Sequence, residues 1–154
     1  MTNQLIQQLE TLIFEGKEMK KTGSYIYTDG TSSEELDQSK TIAGILCNVT
    51  DTHEIAIMPV ESEERLNFDE AQQFCQAEGG RCPTIDELTG IFLNKDKINA
   101  ALKAANLPEL KESWYWSSTE YSNTSAWRLD LSDGSRDANP KYSITQYVRP
   151  VLAL

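Results

Sequence analysis

Two helix starts stand 17 residues apart near the middle of this 154-residue chain, at Asn67 and Thr84. Asn67 precedes "FDEAQQFCQAEGG" with Glu70 three positions on, and Thr84 precedes "IDELTGIFLN" with Glu87 three positions on. In this spacing the cap side chain accepts from the backbone N–H of the third helical residue, and that residue's carboxylate reaches back to the cap's own N–H. The Gly79–Gly80 pair closes the first helix, and Pro83 introduces the second. "KDKINAALKAANL" predicts a further helix ending near Asn106 and Pro108. On both sides of this helical centre the pattern is β-rich. "TIAGILCNV" and "HEIAIMPV" flank "TDT" as a hairpin, after a short strand in "SYIYTDG" and a polar loop. Trp127, Leu129 and Leu131 alternate with Arg128, Asp130 and Ser132, and Asp133-Gly134 predicts a tight two-residue hairpin into "SRDANPKY". "QYVRPVLAL" reads as a closing strand. β, then two or three helices, then β again argues for one α+β domain of mixed antiparallel strands.

At the N-terminus, Leu5, Ile6, Leu9, Leu12 and Ile13 recur at helical spacing, which predicts an extra helix within residues 1–22. Its apolar stripe either docks on the domain of residues 23–154 or joins copies into a homo-oligomer. The start "MTNQLIQQLETLIFEG" has no basic leader, and no apolar run reaches the roughly 18–20 residues of a membrane span. The expectation is a chain made in a cytoplasm, with no membrane insertion; association with a virion or a cell surface is compatible with it. A formal charge of −10 repels phosphate backbones and disfavours sequence-independent nucleic-acid binding.

The candidate chemistry is sparse. Cys47, Cys75 and Cys82 have no CxxC spacing, and His53 is the lone histidine, so no metal or other cofactor is expected. Cys75 and Cys82 are either buried free thiols or a disulfide, the former favoured in a reducing compartment. Glu34-Glu35 and Glu61/Glu63/Glu64 read as solvated loops, and Glu70 as a cap. His53 reads as a surface residue at a turn. Asn48-Val49-Thr50 and Asn123-Thr124-Ser125 fit the glycosylation acceptor pattern, which has no use without a secretory route. No catalytic residue stands out, and the expectation is a protein that is not an enzyme.

"WYWSSTEYSNTSAWRLDLSDG" concentrates three tryptophans and two tyrosines among Ser, Thr, Asn and Asp. Trp116, Trp127, Leu129, Leu131 and Val148 are expected in the core of a closing sheet. Tyr121, Ser122, Asn123 and Thr124, with Ser125 after them, then fall on an outward face or its loops. With them go Arg128, Asp130, Ser132, Ser135, Asp137, Asn139, Tyr142, Ile144 and Thr145. Tyr, Ser, Asn and Asp give contact area and adaptable hydrogen bonds, as in antibody-like paratopes. An ordinary solvated hairpin accounts for the same composition. Arg149, among apolar neighbours in "YVRPV", is expected to be structural and tied to a carbonyl or an acid such as Glu120.

Four ordered segments carry a resemblance. They are the Gly-Gly-ended helix from Asn67, Arg81-x-Pro83-Thr84-x-x-Glu87-Leu88, Trp116-Ser117-Ser118-Thr119-Glu120, and Val148-Arg149-Pro150-Val151. The chain from Asn67 to Leu154, and more loosely from Tyr25, resembles the C-terminal domain family of Legionella collagen-like proteins. That family is a bacterial and phage branch of the C-type lectin fold, related to the formylglycine-generating enzymes. The resemblance implies a lectin-like fold and recognition of an unspecified protein or glycan. Domains similar to this one are often variable proteins of diversity-generating retroelements, in which adenine-targeted mutagenesis rewrites the last stretch of the gene. The outward positions named above hold largely the residues that mutated Asn codons yield. Gly80 and Cys82 depart from the Trp and Leu usual on either side of the motif's Arg. Neither calcium-lectin ligand set is present, and no cysteine follows Cys82 to make the copper-holding pair of the enzyme branch. An enzyme of that branch and a purely structural assembly protein are the rival readings.

Overall fold

A computed structural model describes residues 20–154. The apolar stripe from Leu5 to Ile13 lies outside the described residues, and residues 20–22 are coil and turn, not the last turn of a helix. Eight strands and three helices follow: β1 (Tyr25–Tyr27), β2 (Ser32–Ser33), β3 (Ile42–Thr50), β4 (His53–Ile57), α1 (Phe68–Ala77), α2 (Ile85–Leu93), α3 (Lys95–Ala104), β5 (Trp114–Glu120), β6 (Ser125–Asp130), β7 (Arg136–Pro140) and β8 (Val151–Ala153). This is the α+β arrangement with mixed antiparallel strands and three helices.

The elements form where the local signals stand. Asn67 and Thr84 each accept from the third helical N–H, and Glu70 and Glu87 reach back, so both capping boxes are complete. Gly79, at φ +89°, ends α1 in the left-handed region that glycine tolerates. β3 and β4 make the hairpin, with Ile45 opposite Ile57 and Cys47 opposite Ile55.

A five-stranded sheet of order β2-β1-β3-β4-β8 and a three-stranded sheet of order β5-β6-β7 divide the strands. The inner face of the larger sheet presents Tyr25, Tyr27, Ile45, Cys47, Ile55, Ile57 and Val151. Leu88, Ile91, Ile98 and Leu102 of α2 and α3 cover it, with Tyr115, Leu129 and Leu131. A second core holds Phe68, Ala71, Cys75, Cys82, Trp116, Ala126 and Val148 beneath α1. Tyr115 and Trp116 are neighbours in β5 and belong to different cores, so the small sheet is buried on both faces at this end.

Three expectations need correction. The β6–β7 link spans residues 131–135, not two: Leu131 drops into the core, and Gly134 (φ +81°) donates to the Asp130 carbonyl at 2.8 Å. The closing strand is only β8; before it, Gln146 and Tyr147 make single bridges to Leu66 and Tyr115. Trp127 is half-buried at the edge of the first core, while Trp116 is 0% exposed. Trp116 meets Phe68 edge-on at 5.7 Å and donates from Nε1 to the Leu66 carbonyl at 2.8 Å. Trp116→Ala should therefore lower the unfolding free energy by about 3–5 kcal/mol. Trp127→Ala should cost about 1–2 kcal/mol, since much of its area is already in water. Urea unfolding of the two variants checks this, and equal losses would contradict the assignment.

Candidate functional site

The surface singled out from sequence occupies the free end of the small sheet. The turn between β5 and β6 exposes Tyr121, Ser122, Asn123 and Thr124. Ser122 Oγ accepts from the backbone N–H groups of Thr124 and Ser125, and this closes the turn. Tyr121 stands on the half-buried Trp127, ring edge to ring face at 5.7 Å, and remains 65% exposed. Lys141 ties the neighbouring segment to the same turn. Its N–H donates to the Thr124 carbonyl at 2.9 Å, and its buried ammonium donates to the Asn123 carbonyl at 3.1 Å and to Glu120 at 2.8 Å. Tyr142 follows, 60% exposed, with Thr145 also exposed.

The other predicted residues divide. Arg128 pairs with Trp116 across β5–β6 and with Asp137 across β6–β7, so it shares the face of a buried tryptophan. Its guanidinium lies 3.7 Å from the Trp114 ring centre, and Nε donates to Asp137 at 2.8 Å. Asn139 donates to the same Asp137 oxygen at 2.7 Å. Asp130 caps the following turn by accepting from the Ser132 N–H and hydroxyl. Ser132 and Ser135 are exposed in that turn, where the Ser135 N–H donates to Asp133. Ile144 is not outward: its apolar side chain is half-buried, packed against the second core. The structure thus joins the exposed turn Tyr121–Thr124 to exposed Tyr142 through Lys141 as an accessible rim, with Thr145 exposed three residues on. It ties Arg128, Asp137 and Asn139 into one polar strip, while Asp130 bonds Ser132.

Elsewhere the charged groups hold the frame. Glu87, 3% exposed, takes Arg81 through both guanidinium nitrogens (2.6 and 2.9 Å), His53 Nε2 at 2.6 Å and the Thr84 N–H. Burial alone would raise its pKa, but hydrogen bonds from Arg81, Thr84 and His53 win and hold it at about 2. Glu61, read from sequence as a solvated loop residue, is buried. It accepts from Tyr115 Oη at 2.6 Å, from Arg149 Nη1 at 3.4 Å and from Lys111. Arg149 also donates from Nε to the Met58 carbonyl and from Nη1 to the Pro108 carbonyl, both at 2.8 Å. The acid partner of Arg149 is therefore Glu61. Glu120, the one expected, is drawn instead to Lys141. Burial pushes the Tyr115 hydroxyl up, and the Glu61 charge adds to it. The sequence signal that could have found Glu61 is weak, since nothing in "VESEE" separates its first acid from the next two.

Cys75 and Cys82 are free thiols, buried with their sulfurs 3.0 Å apart; contact with Cys75 and then burial push the Cys82 thiol up. Burial likewise pushes the Cys47 thiol up to about 12. A raised thiol pKa is the opposite of what a reactive thiolate needs, so neither Cys47 nor Cys82 is set up as one. Among the described residues no group of three metal-ligating side chains occurs, and no helix is long and apolar enough to cross a membrane. Two open clefts lie away from the rim. One, of about 390 Å³, is lined by Lys21–Tyr25, Glu34, Lys97, Ala100 and Ala101. The other, of about 330 Å³, lies beside the 28–40 loop, between Leu36, Gln38, Lys40, Ile42 and the end of α3.

The family model of the Lcl C-terminal domain matches residues 24–152. The chain belongs to the Lcl C-terminal domain family. Comparison with curated proteins returns no match. Within the Lcl C-terminal domain, the segments that carry the resemblance are frame and not rim. Arg81, Thr84 and Glu87 lock the start of α2, Trp116 fills the second core, and Arg149 joins Glu61. The departure at Gly80 has a steric reason. A Cβ there would meet Met58 Sδ and the Val151 carbonyl at 2.6 Å each, so no larger side chain fits this turn.

Two predictions follow from the networks. Arg149→Ala strips a buried carboxylate of one cation, leaves two carbonyls unmet, and should cost about 3–5 kcal/mol in chemical denaturation; wild-type stability would show that Glu61 does not need it. Glu87 ionises near 2 when folded and near its ordinary value of 4.5 when unfolded. Between these values the unfolded chain binds more protons, so stability present above pH 4.5 is lost as pH falls toward 2. Melting temperatures across that window should fall steeply for the parent and less steeply for Glu87→Gln.

Proposed function

We propose that this Lcl C-terminal domain is a non-enzymatic ligand- or receptor-binding module of C-type lectin-like fold, with its recognition surface on the rim of the small sheet. The observation that carries the reading is the exposure of Tyr121 and Tyr142 on a rigid base, 65% and 60% respectively. Most large aromatics here are buried or half-buried, whereas these two stand free among exposed Ser122, Asn123, Thr124 and Thr145. Rigid aromatics lose little conformational entropy on binding, and short polar neighbours adapt their hydrogen bonds to a partner. Trp127 and Lys141 hold the two tyrosine-bearing segments from beneath, so the rim is set before a ligand arrives.

The division between frame and rim supports the finer reading of a diversified variable protein, in a retroelement or in a phage or surface recognition component. The side chains at 121–124 are exposed, so replacement there opens no core cavity, whereas Trp116, Glu87 and Arg149 are buried. The ligand is a protein or a glycan, and no metal takes part. A protein of this kind works at a virion or cell surface after synthesis in a cytoplasm.

Binding and folding should separate on this rim. Tyr121→Ala and Tyr142→Ala should each change stability by under about 0.5 kcal/mol. Each should weaken binding to host cells, or to the positive member of a glycan and protein panel, at least tenfold, as for aromatic interface residues. Variants that stay folded and keep full binding would move the site, with the 28–40 loop and its cleft next to be tested. Sequencing the gene across a population tests the finer reading. Identical codons at 121–124, with no template repeat nearby, would sink it.

A further inference from the structure

The larger sheet has a second face. Alternation along the strands sends Ile26, Leu46, Ala56 and Leu152 away from the inner core, and they form a separate apolar cluster. A single layer of strands cannot shield its own outward side chains from water. Leu46 and Ala56 are nevertheless 0% exposed, and Ile26 is 9% exposed. The described helices lie elsewhere: α2 and α3 on the inner core, α1 on the second core. Among the described residues nothing else joins this cluster except the half-buried Leu152.

The chain enters the domain alongside β3, and its first described residue meets an outward side chain of that strand. Asn48 lies two residues beyond Leu46 on β3, so both side chains point outward. Asn48 Nδ2 donates to the Lys20 carbonyl at 3.0 Å, its backbone N–H to Thr22 Oγ1 at 2.9 Å, and Gly23 N–H to the Leu46 carbonyl at 2.9 Å. Lys20, the first described residue, is therefore held by Asn48, two positions from Leu46 on β3.

We propose that residues 1–19 cover this face of their own domain, with Leu5, Ile6, Leu9, Leu12 and Ile13 seated on Ile26, Leu46, Ala56 and Leu152. The dimensions agree. The four sheet residues sit on neighbouring strands β1, β3, β4 and β8, three spacings or about 14 Å across. The helix that the 3–4 residue spacing predicts would carry the stripe from Leu5 to Ile13 over about 12 Å. The segment is long enough to reach and needs no second chain. The N-terminal segment is then a structural layer of the domain, and the rim at the small sheet stays free for a ligand.

The full-length chain tests this through Leu9→Asp, with Leu9→Ala as a milder variant and Gln7→Asp as a control of equal charge off the stripe. Light scattering gives the mass, and an apolar-surface dye reports uncovered sheet. The expected result is a monomer in every case, a lower melting temperature and a several-fold rise in dye fluorescence for Leu9→Asp, a smaller change in the same sense for Leu9→Ala, and no change for Gln7→Asp. Parent-like melting and dye signal in both Leu9 variants would overturn the proposal. So would a parent dimer that Leu9→Ala converts to monomer, since the cover would then come from a second copy.

Discussion

The buried pair of Arg149 and Glu61 joins parts of the chain that no strand or helix connects. Arg149 precedes β8, and its donors reach the Met58 carbonyl after β4, the Pro108 carbonyl after α3, and Glu61. Glu61 in turn accepts from Tyr115 in β5. The five-stranded sheet, the end of the helical segment and the three-stranded sheet are thereby referred to one guanidinium. Burying a cation and an anion is costly unless each is met by opposite charge and hydrogen bonds, and here one side chain supplies the planar donors for three acceptors. Arg149 is 1% exposed, and burial draws its pKa down against the pull of Glu61. One of its donors, Nη2, has no partner among the described residues, so the junction is not fully satisfied.

That junction fixes the small sheet against the rest of the domain. Tyr115 and Trp116 anchor β5 into two cores at once, and the sheet cannot tilt without disturbing both. Burial decreases along β5 toward the turn at residues 121–124, where the side chains leave both cores. Arg128, Asp137 and Asn139 are less free, because they bond to one another and Arg128 lies on Trp114, and Asp130 is already taken by Ser132. A ligand that used them would first have to compete with bonds already made.

Much of the helical centre was legible. Capping boxes are local, since cap and carboxylate lie three residues apart, and both form as their spacing predicts. The β3–β4 hairpin is local as well. The outward strip was legible only in part, because simple alternation assumes that one face of a strand is dry and the other wet. In β5 and β6 both faces are dry at one end, and the register pairs Trp116 with Arg128, so a core tryptophan and an arginine share one face. Ile144, outside any strand, packs against the second core.

Composition and spacing alone determined the α+β fold class, the two caps, and which stretch holds exposed tyrosines among small polar residues. These depend on neighbours within a few positions or on the residue type itself. Only the tertiary structure decided which of three nearby acids is buried, which tryptophan is core, which acid meets Arg149, and that residues 121–124 and 141–142 share one rim. The partners of Glu61 at Lys111, Tyr115 and Arg149 lie 50 or more positions along the chain. Whether a carboxylate there is charged, buried and paired depends on the donors that folding brings to it, and no local pattern encodes them.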